Sequence, residues 1–116
     1  MCIRDRINCE KRGGLVSHRR LSNGEDKPYE LNISWWSAME DSSRDSNRYQ
    51  FERFILTQLL VMALKGVPAF YLPALLASEN DIKSFSMTGQ RRDLNREKFK
   101  SENLLISFSE ASNAGK

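Results

Sequence analysis

NRYQFERFILTQLLVMALKGVPAFYL, residues 47–72, changes its period partway along. Over 47–65 the apolar side chains recur at helical spacing: Phe51, Phe54, Ile55 and Leu59 form one stripe, with Arg48, Glu52 and Arg53 off it. Residues 59–64 are apolar without interruption, so this half of the helix demands burial on most sides. Lys65 suits the negative end of the helix dipole, and Gly66 suits the left-handed position just past the last turn. Pro68 forbids continuation. Residues 67–72 then read as a short buried strand ended by Pro73. A helix joined directly to a strand is an α/β unit.

Upstream, residues 1–27 are polar and charged, with Gly13-Gly14 and Asn23-Gly24 as turn signals. Residues 28–36 alternate, so a strand is expected there with Tyr29, Leu31, Ile33 and Trp35 on one face. Asp41, Ser42, Ser43, Asp45 and Ser46 supply caps for the following helix. Downstream, 74–77 is weakly apolar, 78–81 is a polar loop, and 90–100 is strongly basic. Residues 96–108 form a weakly patterned second helical stretch, and the tail from Ser107 reads as frayed. There is no internal repeat.

The chain has 116 residues, a net charge of +3, 40% hydrophobic and 28% charged residues. That composition excludes a disordered chain and a membrane-embedded one, and the charge excess is too small to imply nucleic acid. Cys2 and Cys9 sit close together near the start, so no disulfide framework staples the fold. Arg4, Asp5 and Arg6 stand where a secretory leader needs an apolar core, and the run 59–64 is too short to span a bilayer. A cytoplasmic protein without a membrane partner is expected. Met1-Cys2-Ile3-Arg4-Asp5-Arg6 resembles a translated sequencing-adapter leader, so residues 1–12 are expected to be a non-native or upstream leader.

A chain of this size should bury roughly 65% of its unfolded surface. One weakly patterned helical stretch cannot cover an all-round apolar helix and two strands. The expectation is a fragment whose neighbours lie elsewhere.

Three motifs carry a resemblance. Pro28-Tyr29-Glu30-Leu31-Asn32, then GVPAFYLPALLASEND over 66–81, then Arg92-Asp93-Leu94-Asn95-Arg96-Glu97 stand in this order. Over residues 13–100 the chain resembles the C-terminal part of the catalytic barrel in sucrose-phosphorylase-like enzymes of glycoside hydrolase family 13, the α-amylase family. The resemblance implies an α/β fold, the last helix–strand portion of a (β/α)8 TIM barrel that is incomplete on its own, with 101–116 a truncated tail. Residues 13–36 would be the loop and extension after the seventh strand, 47–65 the next helix, and 67–72 the eighth strand.

The implied chemistry is a retaining double displacement in which glucose passes from an α-glucoside to inorganic phosphate, giving α-glucose 1-phosphate. Glucosylglycerate, sucrose 6-phosphate and sucrose are the candidate glucosides. The catalytic carboxylates would lie upstream, because the third belongs to a His-Asp pair and the only histidine, His18, precedes Arg19. The resemblance therefore assigns no catalytic residue, metal or cofactor to this chain, and the chain alone should be inactive. It carries Arg96 over as the arginine that hydrogen-bonds the bound glucosyl unit, a role its planar paired donors suit. Tyr29 and Glu30 match the loop lining the same pocket, and are expected to approach Arg96 near the carboxyl end of the 67–72 strand. Glutamine usually stands at Glu30 in sucrose phosphorylases proper, which points toward acceptors bearing a carboxylate or phosphate. His18, Arg19 and Arg20 are the candidates for that anion or for phosphate.

Plainer readings stay open. Alternation alone makes Glu30 an outward-facing strand residue, and Arg91 and Arg92 read as solvated. A hydrolase or transglucosidase of the same family is one alternative. A small basic helical module binding nucleic acid through Arg19-Arg20 and Arg91-Arg92 is another, although it leaves the apolar helix unexplained.

Overall fold

The computed structural model describes residues 1–40 and 49–105. The proposed caps at 41–46, the helix start at 47–48 and the tail from 106 lie outside the described residues.

Helix α1 (Ile3–Lys11) turns off at Gly13, whose φ of +72° favours glycine, and meets the next strand at Gly14. A Cβ at Gly14 would stand 2.5 Å from Cys9 Sγ and 2.9 Å from Ile33 Cβ. Only a bare backbone fits between α1 and the segment after the sheet. Strands β1 (Leu15–Arg20) and β2 (Asp26–Asn32) form an antiparallel hairpin. Its turn uses Asn23-Gly24: Asn23 Oδ1 accepts from the Glu25 amide at 3.1 Å, and Gly24 has φ +86°.

The strand expected over 28–36 is shifted and shortened. It begins at Asp26 and stops at Asn32, because Ser34 leaves the ladder to cap α2 (Trp35–Ala38), accepting from the Ser37 amide at 3.1 Å. Strand β1 carries few apolar residues beyond Leu15 and Val16, which is why hydrophobic alternation does not reveal it.

Helix α3 (Gln50–Ala63) bears out the helical part of the 47–65 stretch. Its first two turns pack on α2: Phe54 is buried edge-to-face on Trp36, with ring centroids 5.4 Å apart. Trp35 Nε1 donates to Thr57 Oγ1 at 2.8 Å, and Arg53 Nη2 donates to the Met39 carbonyl at 2.7 Å. The later turns are largely uncovered. Leu59 is 52% exposed, Leu60 58% and Met62 54%. The helix stops at Ala63, two residues before Lys65, and Leu64 is already extended. Gly66 therefore does not close the helix; its φ of +147° lies in an extended conformation that favours glycine.

The buried strand expected over 67–72 is not formed. These residues are exposed, Val67 at 95%, and belong to no ladder. The two strands among the described residues pair with each other and not with 67–72. Leu72–Leu75 instead makes the short helix α4.

Helix α5 (Ile82–Thr88) starts at the cap Asp81, and a 3₁₀ turn follows over Arg91–Asn95. Leu94 in that turn is 2% exposed and is the most enclosed large apolar side chain. Its carbonyl accepts from the Asp81 amide at 2.7 Å, which closes α5 and the turn into one loop. Of the helical stretch expected over 96–108, residues 101–105 are helical and 96–100 are not.

Asn80 joins the separate parts. Its Oδ1 accepts from the Ser34 amide at 2.8 Å, and its Nδ2 donates to the Arg12 carbonyl at 3.1 Å. Its own amide donates to Ser37 Oγ at 3.3 Å. The Cα radius of gyration is 16.7 Å, against about 13 Å for a compact chain near this length. The 116-residue chain in isolation is expected to bind an apolar dye such as ANS and to self-associate. A dye-silent monomer with a sharp cooperative melt would contradict the exposed surface of α3.

Candidate functional site

The polar face of the hairpin is built by strand alternation and one bulge. Ser17 pairs with Glu30, but the next pair is His18 with Pro28, so Tyr29 is the extra residue on β2. Pro28 has no N–H to give to the ladder, which makes this the natural place for the register to slip. The bulge takes Tyr29 out of the expected Leu31/Ile33 face. Its ring is 57% exposed and lies under the Arg19 guanidinium, 5.6 Å from the ring centroid. Asn32 is fully buried, and Ser17 Oγ donates to its Oδ1 at 2.6 Å. Asn32 Nδ2 has no hydrogen-bond partner.

The 3₁₀ turn docks against this hairpin through two successive arginines. Arg91 Nη1 donates to the Val16 carbonyl on β1. Arg92 Nε lies 3.5 Å from Glu30 Oε2 on β2. Thr88 Oγ1 donates to Asp93 Oδ2 at 2.7 Å and ties the end of α5 to the turn. Arg91 and Arg92 are exposed, as the sequence suggests, yet both are anchored.

The other predicted residues are placed as follows. Arg96 caps the end of the 3₁₀ turn and is exposed. Among the described residues no hydrogen bond or ion pair joins its guanidinium to Tyr29 or Glu30; Glu30 meets Arg92 instead. The expected approach to a strand at 67–72 fails for the same reason that strand is missing. Alternation sets His18 and Arg20 on the opposite face of β1 from Arg19. His18 borders a shallow cleft with Ile3, Ile7 and Glu10 of α1. The three anion candidates therefore do not converge.

Asn32, Asn80 and Arg92 fall inside the three motifs, but sequence reasoning gave none of them a contact: Arg92 reads as solvated, and the partners of all three lie on distant segments. Asn95 is a further case. Its Oδ1 is buried without a partner, and the residue lines a cleft of about 320 Å³ with Trp35, Thr57, Val61 and Tyr71. Among the described residues there is no cluster of three or more His, Cys, Asp or Glu able to hold a metal. Nor is any helix there long and apolar enough to cross a membrane.

Comparison with known proteins gives this arrangement its context. No protein-family profile matches the chain, and no solved structure does. Curated sequences do match. A glucosylglycerate phosphorylase from Spirochaeta thermophila is 38% identical over 94 residues, 81% of this chain and 16% of the relative. One from Escherichia coli is 30% identical over 95 residues, 82% of this chain and 17% of the relative. The chain is homologous to a segment of sucrose-phosphorylase-like enzymes. A sucrose phosphorylase from Streptococcus mutans extends the match at lower identity, 26% over 76 residues, 66% of this chain and 14% of the relative. The chain thus spans about a sixth of the length of the phosphorylases it matches.

Two titrating groups in the segment have structural roles. Hydrogen bonds from the Ser84 hydroxyl and then the Ser84 amide hold the Asp81 carboxyl below its ordinary value of 3.8. A depressed folded value means the cap stabilises fully above about pH 4 and is lost as pH falls through the lower folded value. Amide exchange in α5 should accordingly be faster in Asp81→Asn than in the wild type near pH 6, with the gap closing in acid. A gap independent of pH would remove the carboxylate from the cap. Burial, followed by the nearby Glu10, raises the Cys9 thiol above its ordinary value. A thiol reagent at neutral pH should label exposed Cys2 well before Cys9.

Proposed function

We propose that this chain is the C-terminal helix–strand portion of the catalytic barrel of a cytoplasmic α-glucosyl phosphorylase of the α-amylase family. In that reading the parent enzyme transfers glucose from an α-glucoside to inorganic phosphate and releases α-glucose 1-phosphate. The observation that carries it is the match to glucosylglycerate phosphorylases over four fifths of the chain, together with the ordered motifs at 28–32, 66–81 and 92–97. The uncovered turns of α3 support it, since a helix of an outer barrel ring packs on its strands and on both neighbours. The absence of a ladder at 67–72 is compatible with it, because a parallel strand forms only between neighbours.

Within that enzyme Tyr29, Glu30 and Arg96 line the glucosyl and acceptor pocket, and the attacking carboxylate and the acid/base belong to other segments. Glucosylglycerate is the favoured glucoside, ahead of sucrose 6-phosphate and sucrose. The support is the relatives' names and Glu30 at the position where sucrose phosphorylases carry glutamine. His18, Arg19 and Arg20 are candidates for the anionic group, with Arg19 the one already against Tyr29. A family hydrolase or transglucosidase, differing in the acceptor, is the alternative.

Phosphate-dependent release of glucose 1-phosphate, assayed with glucosylglycerate, sucrose 6-phosphate and sucrose on the complete enzyme, separates these readings. Phosphate-independent glucose release would assign the hydrolase. Arg96→Ala in the complete enzyme should cost about 2–4 kcal/mol in kcat/KM, as expected for a lost charged contact to the reacting sugar. An unchanged value would make Arg96 structural.

A further inference from the structure

We propose that Arg92 is a positioning residue for Glu30, holding its carboxylate on the 3₁₀ turn and cancelling its charge so that an anionic acceptor group can occupy the neighbouring pocket. This inference rests on the phosphorylase reading above and adds a determinant of acceptor charge to it.

The placement of Arg92 is fixed by more than its own side chain. Leu94, two residues on, is enclosed, and its carbonyl is held by the Asp81 amide. Arg91, one residue before, is bonded to the β1 backbone at Val16. The turn is thus pinned on both sides of Arg92, and the guanidinium reaches Glu30 on the other strand at 3.5 Å. Glu30 is in turn fixed by its pairing with Ser17, whose hydroxyl is spent on buried Asn32.

The consequence is electrostatic. The Glu30 side chain is about one-third exposed, so a lone carboxylate there would act on anything within a Debye length, about 8 Å. That field would repel a glycerate carboxylate or a phosphate. Paired with Arg92, Glu30 keeps its acceptor oxygens for sugar or acceptor hydroxyls while the pair carries no net charge. Arg19, over the Tyr29 ring on the same hairpin, then adds a positive charge beside the neutral pair. A glutamine at position 30 would need no such partner.

The test compares two glucosides on the complete enzyme in phosphorolysis: glucosylglycerate, and glucosylglycerol, in which a neutral hydroxymethyl group replaces the carboxylate. The readout is the ratio of their kcat/KM values, which a general loss of folded enzyme leaves unchanged. Arg92→Ala should lower the ratio about tenfold, the equivalent of about 1.4 kcal/mol against the anionic substrate. Adding Glu30→Gln to Arg92→Ala should restore the ratio toward wild type, because no carboxylate remains to be cancelled. Should Arg92→Ala yield no folded enzyme, Arg92→Lys keeps the charge and should hold the ratio within about threefold. A ratio unmoved in Arg92→Ala, or not restored by Glu30→Gln, or collapsed in Arg92→Lys, overturns the inference while leaving the phosphorylase reading intact. A wild-type enzyme that releases no glucose 1-phosphate from glucosylglycerate overturns that reading, and this inference with it.

Discussion

The apolar circumference of α3 is the constraint on which the rest depends. From Gln50 to Thr57 the helix finds cover on α2, where Phe54 meets Trp36 and Trp35 reaches Thr57. From Leu59 onward it is largely exposed, with Val61 lining the cleft beside Trp35 and Tyr71. Each fully buried aliphatic side chain of this kind stabilises by about 1.5–3 kcal/mol relative to exposure, so several left in water are a large unmet driving force. Residues 67–72 are left in a similar state: they are exposed and pair with neither of the two strands among the described residues.

What holds the described residues together is correspondingly polar. Asn80 draws the end of α1, the start of α2 and the loop before α5 onto one side chain. Arg91 and Arg92 fasten the 3₁₀ turn to the two strands of the hairpin. The large apolar contribution comes from few residues, chiefly Phe54, Leu94 and Val16. Two buried amide atoms, Asn32 Nδ2 and Asn95 Oδ1, go unpaired, at a cost of about 1–3 kcal/mol each.

The candidate site was partly legible from residue order. Tyr29 and Glu30 stand on one hairpin with Arg19, and the turn over Arg91–Asn95 docks on that hairpin. The contact itself differs: Arg92 rather than Arg96 meets Glu30. Spacing in a motif cannot tell which of two arginines four residues apart faces a strand, because a 3₁₀ turn and an α-turn carry side chains round by different angles. The bulge at Tyr29 was hidden as well. Pro28 signalled a ladder defect, but only pairing with β1 showed which residue became the extra one.

Periodicity alone determined the existence and type of α3, its end before Pro68, and the turns at Gly13-Gly14 and Asn23-Gly24. These are local consequences of side-chain spacing and backbone freedom, and they hold wherever the segment is placed. The motifs also identified the enzyme family to which the segment is homologous. Only the tertiary structure decided that β1 exists, that Ser34 diverts the chain out of β2, and that 67–72 joins no ladder. Strand pairing and burial are relations between distant residues, so a sequence can prepare a strand or a greasy face without supplying the surface that receives it.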